Sequence, residues 1–154
     1  MEIKEFLSSA HAIVDLSTRD KESLLRDLAQ QAAATLPLDA HTILSEILKR
    51  ETLGSTGVGG GVAIPHARMK NLKKPFGILV RLKTAIDFEA IDNKPVDIVF
   101  LLLLPVAAEG EHNTALASVA RALRDAKVIR KLRAAADNAV FYQTMTEYRE
   151  SKSA

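Results

Sequence analysis

Cysteine is absent from the 154-residue chain, which excludes disulfide frameworks, thiolate zinc sites and thiol nucleophiles at once. The absence is compatible with a reducing compartment. Tryptophan is absent too, and aromatics make up only 5% of the residues. The interleaved aromatics that single-stranded nucleic acid needs are therefore missing. An excess of one charge sign is also lacking. Twenty-one Lys and Arg face nineteen Asp and Glu, a formal net charge of +2, too balanced to imply nucleic acid or an anionic membrane. The longest apolar run, Ile98–Ala108, is interrupted by Pro105 and falls short of the roughly 20 residues of a spanning helix. The first seven residues mix both charge signs without an apolar core, so they are no secretory signal. A soluble cytoplasmic protein, with no nucleic-acid partner and no membrane insertion, is expected.

What is present suffices for a folded domain. Hydrophobic residues are 47% of the chain and charged ones 26%, ordinary globular proportions. The length suits one domain with a real core, expected over residues 5–149, with 150–154 a frayed Ser-Lys-Ser-Ala-ended tail. A short strand is expected around Ala12–Leu16. A helix over Lys21–Leu36 follows, capped by Asp20 and stopped by Pro37, with Leu24, Leu25, Leu28, Ala29 and Ala32 at helical period. A second helix, Ala40–Glu51, has Asp39 as its cap and Ile43, Leu44, Ile47 and Leu48 as its buried face.

Three apolar runs come next: Val62–Ile64, Phe76–Leu82 and Val96–Leu104. The last is nearly continuous between Pro95 and Pro105 and reads as a central strand covered on both faces. Helices resume over Glu111–Arg124, Lys127–Ala135 and Asn138–Arg149, the last capped by Asp137. Helices, strands and helices around one sheet make an α/β layered domain.

Glycine is scarce but crowded. Five of the seven fall within eight residues, at Gly54, Gly57, Gly59, Gly60 and Gly61. Glycines let backbone N–H groups approach an anion closely, so Gly54, Ser55, Thr56, Gly57, Gly59 and Gly61 are candidates for an anion-holding loop. The stretch is not a P-loop, because no lysine lies between Lys49 and Lys70. It does not fit the dinucleotide fingerprint, which would need glycine at Val62, nor a nucleophile elbow at Ser55. Taken alone it is equally a flexible connector.

His66 follows Pro65 just beyond the first apolar run, a position suited to a nucleophile, base or ligand, or to a plain turn histidine. His112 stands near a helix start, where free N–H groups favour an anion, or where it serves as a weak cap. His11 and His41 look structural. Metal is not supported, for there is no H-E-x-x-H and no close histidine pair. Asp87, Glu89, Asp92 and Asp97 alternate with apolar residues like ordinary turn and strand-edge acids. Arg68–Lys83 holds six basic residues and no acid; Arg121–Arg133 carries a net +5, leaving the rest of the chain at −3. The second stretch reads as a solvated helix face.

Leu53–Arg68, reading L-G-S-T-G-V-G-G-G-V-A-I-P-H-A-R, resembles the phosphohistidine region of enzyme IIA proteins of the fructose/mannitol type, components of the bacterial phosphoenolpyruvate-dependent phosphotransferase system. Ile47–Glu51, Ala90–Asp97 and the His112 segment with Leu116 and Ala120 resemble the nitrogen-regulatory branch. The likeness covers essentially the whole chain. It implies a mixed sheet flanked by helices. It also implies a phosphocarrier whose His66 takes a phosphoryl group, on the tele nitrogen, from a histidine-phosphorylated HPr-type protein. His112 then corresponds to the second family histidine, which helps hold that group, and Arg50 to an arginine near the same site. Potassium-transport and sensor-kinase proteins are the regulated partners that the branch implies; the alternative is a sugar-specific IIA passing phosphoryl to a IIB domain. No cofactor and no metal are implied. Two positions depart from the family pattern: Ala67 stands where glycine is common and Asn113 where leucine is common.

Overall fold

In the computed structural model, residues 1–106 and 109–149 are described, the side chains of 109–113 excepted. The tail at 150–154 thus lies outside the described residues. β1 (Ala12–Leu16) leads into α1 (Lys21–Thr35) and α2 (Ala40–Thr52). Asp20 and Asp39 cap these helices as expected, their carboxylates accepting from the backbone N–H of Ser23 and Thr42. The strands β2 (Gly57–Gly59), β3 (Val62–Ala63), β4 (His66–Met69), β5 (Phe76–Ile86) and β6 (Val96–Pro105) follow. α3 (Glu109–Arg124), α4 (Ala126–Ala134) and α5 (Asn138–Thr146) complete the chain. Asp125 and Asp137 cap the last two.

One six-stranded mixed sheet organises the molecule in the order β1-β5-β6-β3-β2, with β4 pairing β6 beyond β3. β1 runs parallel to β5, β5 antiparallel to β6, and both β3 and β4 parallel to β6. β6 is the central strand its apolar run foretold. Successive side chains point to opposite faces. Ile98, Phe100, Leu102 and Leu104 accordingly join the core beneath α3, α4 and α5, whereas Val99, Leu101 and Leu103 join the core beneath α1 and α2. Phe100 is fully buried and meets Phe6 edge-to-face with ring centroids 6.2 Å apart. Phe100→Ala is expected to destabilise the protein by about 3–5 kcal/mol, read as a lower denaturant midpoint at unchanged slope.

Three differences from the sequence reading matter. Leu48 is 38% exposed rather than buried, because the inward stripe of α2 narrows to Ile43 and Ile47. The glycine-rich stretch is a β-hairpin, β2 and β3 pairing antiparallel around Gly60 and Gly61, rather than an open loop. Residues 66–69 form a strand of their own, in register with Leu102–Pro105 of β6. Neither β2 nor β4 carries an apolar run that announces a strand, although the run Val62–Ile64 holds β3.

Candidate functional site

Pro65 separates β3 from β4, and its carbonyl accepts from the N–H of Leu102 at 2.9 Å. His66 is therefore the first residue of a strand clamped to β6, its backbone held by the sheet. Its Nδ1 lies 2.8 Å from the carbonyl oxygen of Ile64. A carbonyl can only accept, so Nδ1 carries the proton and donates, and Nε2 keeps a free lone pair.

Burial lowers the His66 pKa below its ordinary value, the hydrogen bond to Ile64 opposes that shift, and the Arg50 guanidinium reinforces it. Glu51 and Arg68 add smaller effects, the carboxylate raising the pKa and the guanidinium lowering it. The ring is neutral at pH 7. A proton titration followed by NMR is expected to place the His66 midpoint below the ordinary value of about 6.5. The folded pKa is depressed, so the unfolded state binds a proton more readily in acid. The stability present above the unfolded value is therefore lost progressively as pH falls from that value through the lower folded one. A midpoint at or above 6.5 would contradict the burial argument.

His66 opens onto a cavity of about 320 Å³ lined also by Glu46, Lys49, Arg50, Leu53, Ala67, Arg68, Leu104 and Leu116. Arg50 stands in the last turn of α2 and donates from Nη1 to the carbonyl of Gly54 at 2.8 Å. It thus ties the helix end to the chain entering the hairpin. Lys49 pairs with Glu46 at 3.2 Å. Arg68 lies two residues beyond His66 on β4, hence on the same face, and is exposed. Three cations line this cavity against one carboxylate.

The remaining sequence candidates are distributed as follows. Ser55 Oγ donates to the carbonyl of Phe88 at 2.9 Å and accepts from the N–H of Gly57 at 3.0 Å. Thr56 is buried and donates from both its N–H and Oγ1 to Glu51. Gly57 packs so closely on Ala90 that a Cβ would come within 2.8 Å of its Cα. Gly61, with φ +82°, lies under the Arg133 guanidinium, and Arg133 donates to the Gly60 carbonyl at 2.8 Å while pairing with Asp97 at 2.9 Å. The hairpin tip, Gly59 included, lines a separate groove against α4. Gly57, Gly59 and Gly61 do not line the His66 cavity. The side chain of His112 lies outside the described residues, although its backbone belongs to α3, one turn before Leu116 of the cavity wall.

The acids have structural partners: Asp87 accepts from Glu89 N–H, and Asp92 from the N–H groups of Gly60 and Lys94. Arg81, within the first basic stretch, donates to the carbonyls of Leu132, Arg133 and Ala135 at the end of α4. His11 bridges Ser8 and Thr35 and meets Phe76 edge-on. Among the described residues, no helix is long and apolar enough to cross a membrane, and no three His, Asp or Glu side chains group as metal ligands.

Sequence reasoning missed Lys49 and Arg68. Arg68 had a legible signal, its i, i+2 spacing from His66, but only once residues 66–69 are known to be a strand.

Comparison with known proteins agrees with this fold. Residues 5–148 match the family described as phosphoenolpyruvate-dependent sugar phosphotransferase system, EIIA 2. A nitrogen regulatory protein of Bradyrhizobium diazoefficiens is 41% identical over 145 residues, covering 94% of this chain and 95% of that one. One from Pseudomonas aeruginosa is 36% identical over 146 residues, covering 94% and 95%. The crystal structure of nitrogen regulatory protein IIA-Ntr from Neisseria meningitidis superposes with a TM-score of 0.89 at 30% identity, covering 94% of this chain and 99% of that one.

Proposed function

This chain belongs to the EIIA 2 family of the phosphoenolpyruvate-dependent phosphotransferase system, and on that premise we propose that it carries a phosphoryl group on Nε2 of His66. The donor is a histidine-phosphorylated HPr-type protein in the cytoplasm. The observation that carries this reading is the tautomer: Nδ1–H is committed to Ile64, and the free Nε2 belongs to a ring bordering a cationic cavity. Phosphoryl transfer asks the protein mainly for positioning and charge stabilisation. The Nε2 lone pair attacks phosphorus and the donor's phosphorus–nitrogen bond breaks, its electron pair returning to the donor imidazole. The proton on His66 Nδ1 stays in place, and the Ile64 carbonyl stabilises the imidazolium character that develops.

Arg50 and Arg68 would offset the charge of the three phosphoryl oxygens, and His112, one turn before Leu116 along α3, is the proposed assistant in holding them. Gly54, Ser55 and Thr56 would act by holding the chain between Arg50 and the hairpin. The identity to nitrogen regulatory proteins over 94% of the chain favours a regulator, whose phosphorylated and free forms select different partners, over a dedicated sugar carrier. Potassium-transport and sensor-kinase proteins are the proposed targets.

The test is to incubate the protein with phosphoenolpyruvate, enzyme I and the HPr-type donor, and to locate the product by 31P NMR and mass mapping. One acid-labile phosphoryl group on Nε2 of His66 is expected. Label on another residue, or on Nδ1, overturns the assignment. Pull-downs with the phosphorylated and free forms test the regulatory half; identical partner sets contradict it.

A further inference from the structure

The Ile64 carbonyl that fixes the His66 tautomer is itself held by a buried ionic latch. Lys21 of α1 places Nζ 2.9 Å from the Glu51 carboxylate at the end of α2 and 4.6 Å above the centre of the Phe88 ring. The Glu51 side chain is only 6% exposed. It accepts from the Thr56 N–H at 3.2 Å and from Thr56 Oγ1. The Thr56 carbonyl in turn accepts from the N–H of Ile64 at 3.0 Å, and the Ile64 carbonyl receives Nδ1–H of His66.

We propose that Glu51 is a positioning residue for His66, acting through Thr56 and Ile64, with Lys21 as its counter-ion. The proposal rests on the assignment of His66 as the phosphoryl acceptor.

The physical case is one of constraint. A carboxylate buried in this way is costly unless paired and hydrogen-bonded, and an apolar residue would fill the space at least as cheaply. What the carboxylate adds is direction: two donors of Thr56 converge on it, so the base of the hairpin has one place to sit. Ile64 is then held from both sides, by Thr56 through its N–H and by Pro65, whose carbonyl is bound to Leu102. Its own carbonyl therefore points in a fixed direction. The hydrogen bond at one ring nitrogen decides which nitrogen is bare. Ser55, bonded to the carbonyl of Phe88 and the N–H of Gly57, adds a second tie that does not run to Ile64. The charged groups acting on His66 are Arg50 and Glu51 of α2 and Arg68 of β4. Lys49 and Glu46 share its cavity.

The experiment uses the full chain with 15N-labelled histidine, comparing the native protein with Glu51→Gln, Thr56→Val and Thr56→Ser. Three quantities are read: the His66 ring 15N shifts, the rate of phosphoryl acceptance and the melting temperature. In the native protein the shifts should report a protonated Nδ1 and a bare Nε2. Glu51→Gln and Thr56→Val should each lower the ratio of that tautomer to the other by about fivefold, the worth of one ordinary hydrogen bond. Acceptance should slow in parallel. Thr56→Ser, which keeps the hydroxyl, should restore both. A merely structural role would lower the melting temperature and leave the tautomer untouched.

Native tautomer ratios in the folded variants overturn the proposal; where Glu51→Gln fails to fold, Thr56→Val decides alone. The two readings fail separately. A tautomer shift in a protein that never accepts phosphoryl upholds the latch and removes the phosphocarrier assignment, whereas normal acceptance with an unmoved tautomer does the reverse.

Discussion

His66→Ala is expected to reduce phosphoryl uptake to background at an almost unchanged melting temperature. Both halves follow from the geometry. The side chain is half-buried and among the described residues makes one hydrogen bond, to Ile64, so its removal should cost about 1 kcal/mol of stability. The backbone at 66 is held by β6 and survives the change. The proposed chemistry, by contrast, loses its acceptor nitrogen, and among the described residues the cavity otherwise offers cations, one carboxylate and aliphatic side chains. His112→Ala should behave differently, slowing acceptance while still permitting label, because a group that holds oxygens lowers a barrier without forming the bond. The measurement is acid-labile label against time, with a melting curve for each variant. Full label on the His66 variant would remove the central assignment, and unchanged kinetics on the His112 variant would leave that histidine no part in the reaction.

Much of the fold could be read from pattern because its causes are local. The caps at Asp20, Asp39 and Asp137 announce helix starts through short-range hydrogen bonds. The nearly continuous apolar run of β6 announces a strand covered on both faces, because a half-exposed strand would alternate. What stayed hidden depends on partners far away in sequence. β4 is four residues long and exists because Leu102–Pro105 lie beside it. The hairpin of Gly57–Ala63 is braced by Arg133 and Asp92, 73 and 32 residues from the Gly60 they hold.

The same holds for the site. His66 and Arg50 were legible through a resemblance, and their meeting at one cavity is a tertiary fact. Glu51 stood in the quoted Ile47–Glu51 stretch without a role, since nothing in the sequence brings it to Thr56 or Lys21. The balanced charge likewise concealed a division of labour. Arg81 and Arg133 are structural, tied to backbone carbonyls and aspartates, whereas Arg50 and Arg68 line the cavity onto which His66 opens.

Arg50→Ala is expected to slow phosphoryl acceptance about 100-fold and Arg68→Ala about tenfold, the range covered by one charge-assisted hydrogen bond. Arg50 ranks higher because it does two things. Its guanidinium holds the Gly54 carbonyl, and its charge acts on His66 more strongly than that of Arg68. A lysine at 50 should recover only part of the rate, since an ammonium lacks the planar fork that can serve a carbonyl and a phosphoryl oxygen together. Charge and geometry can be told apart in the same variants. Arg50 lowers the His66 pKa, so removing its charge should move the His66 titration up, toward the ordinary imidazole value. A loss of geometry alone would not move it in that direction, because freeing Nδ1 from Ile64 removes an effect that raises the pKa. A slow Arg50→Ala variant with a raised midpoint therefore assigns the arginine to electrostatic stabilisation, and a slow variant with a lowered midpoint assigns it to the Gly54 tie. A phosphoryl group on His66, as proposed, would add a charge of about −1.5 to −2 at one spot of a protein of formal charge +2. Arg50 and Arg68 are two of the three cations lining the His66 cavity, so under the proposed chemistry their loss should also make the phosphorylated form shorter-lived, measured as faster release of label.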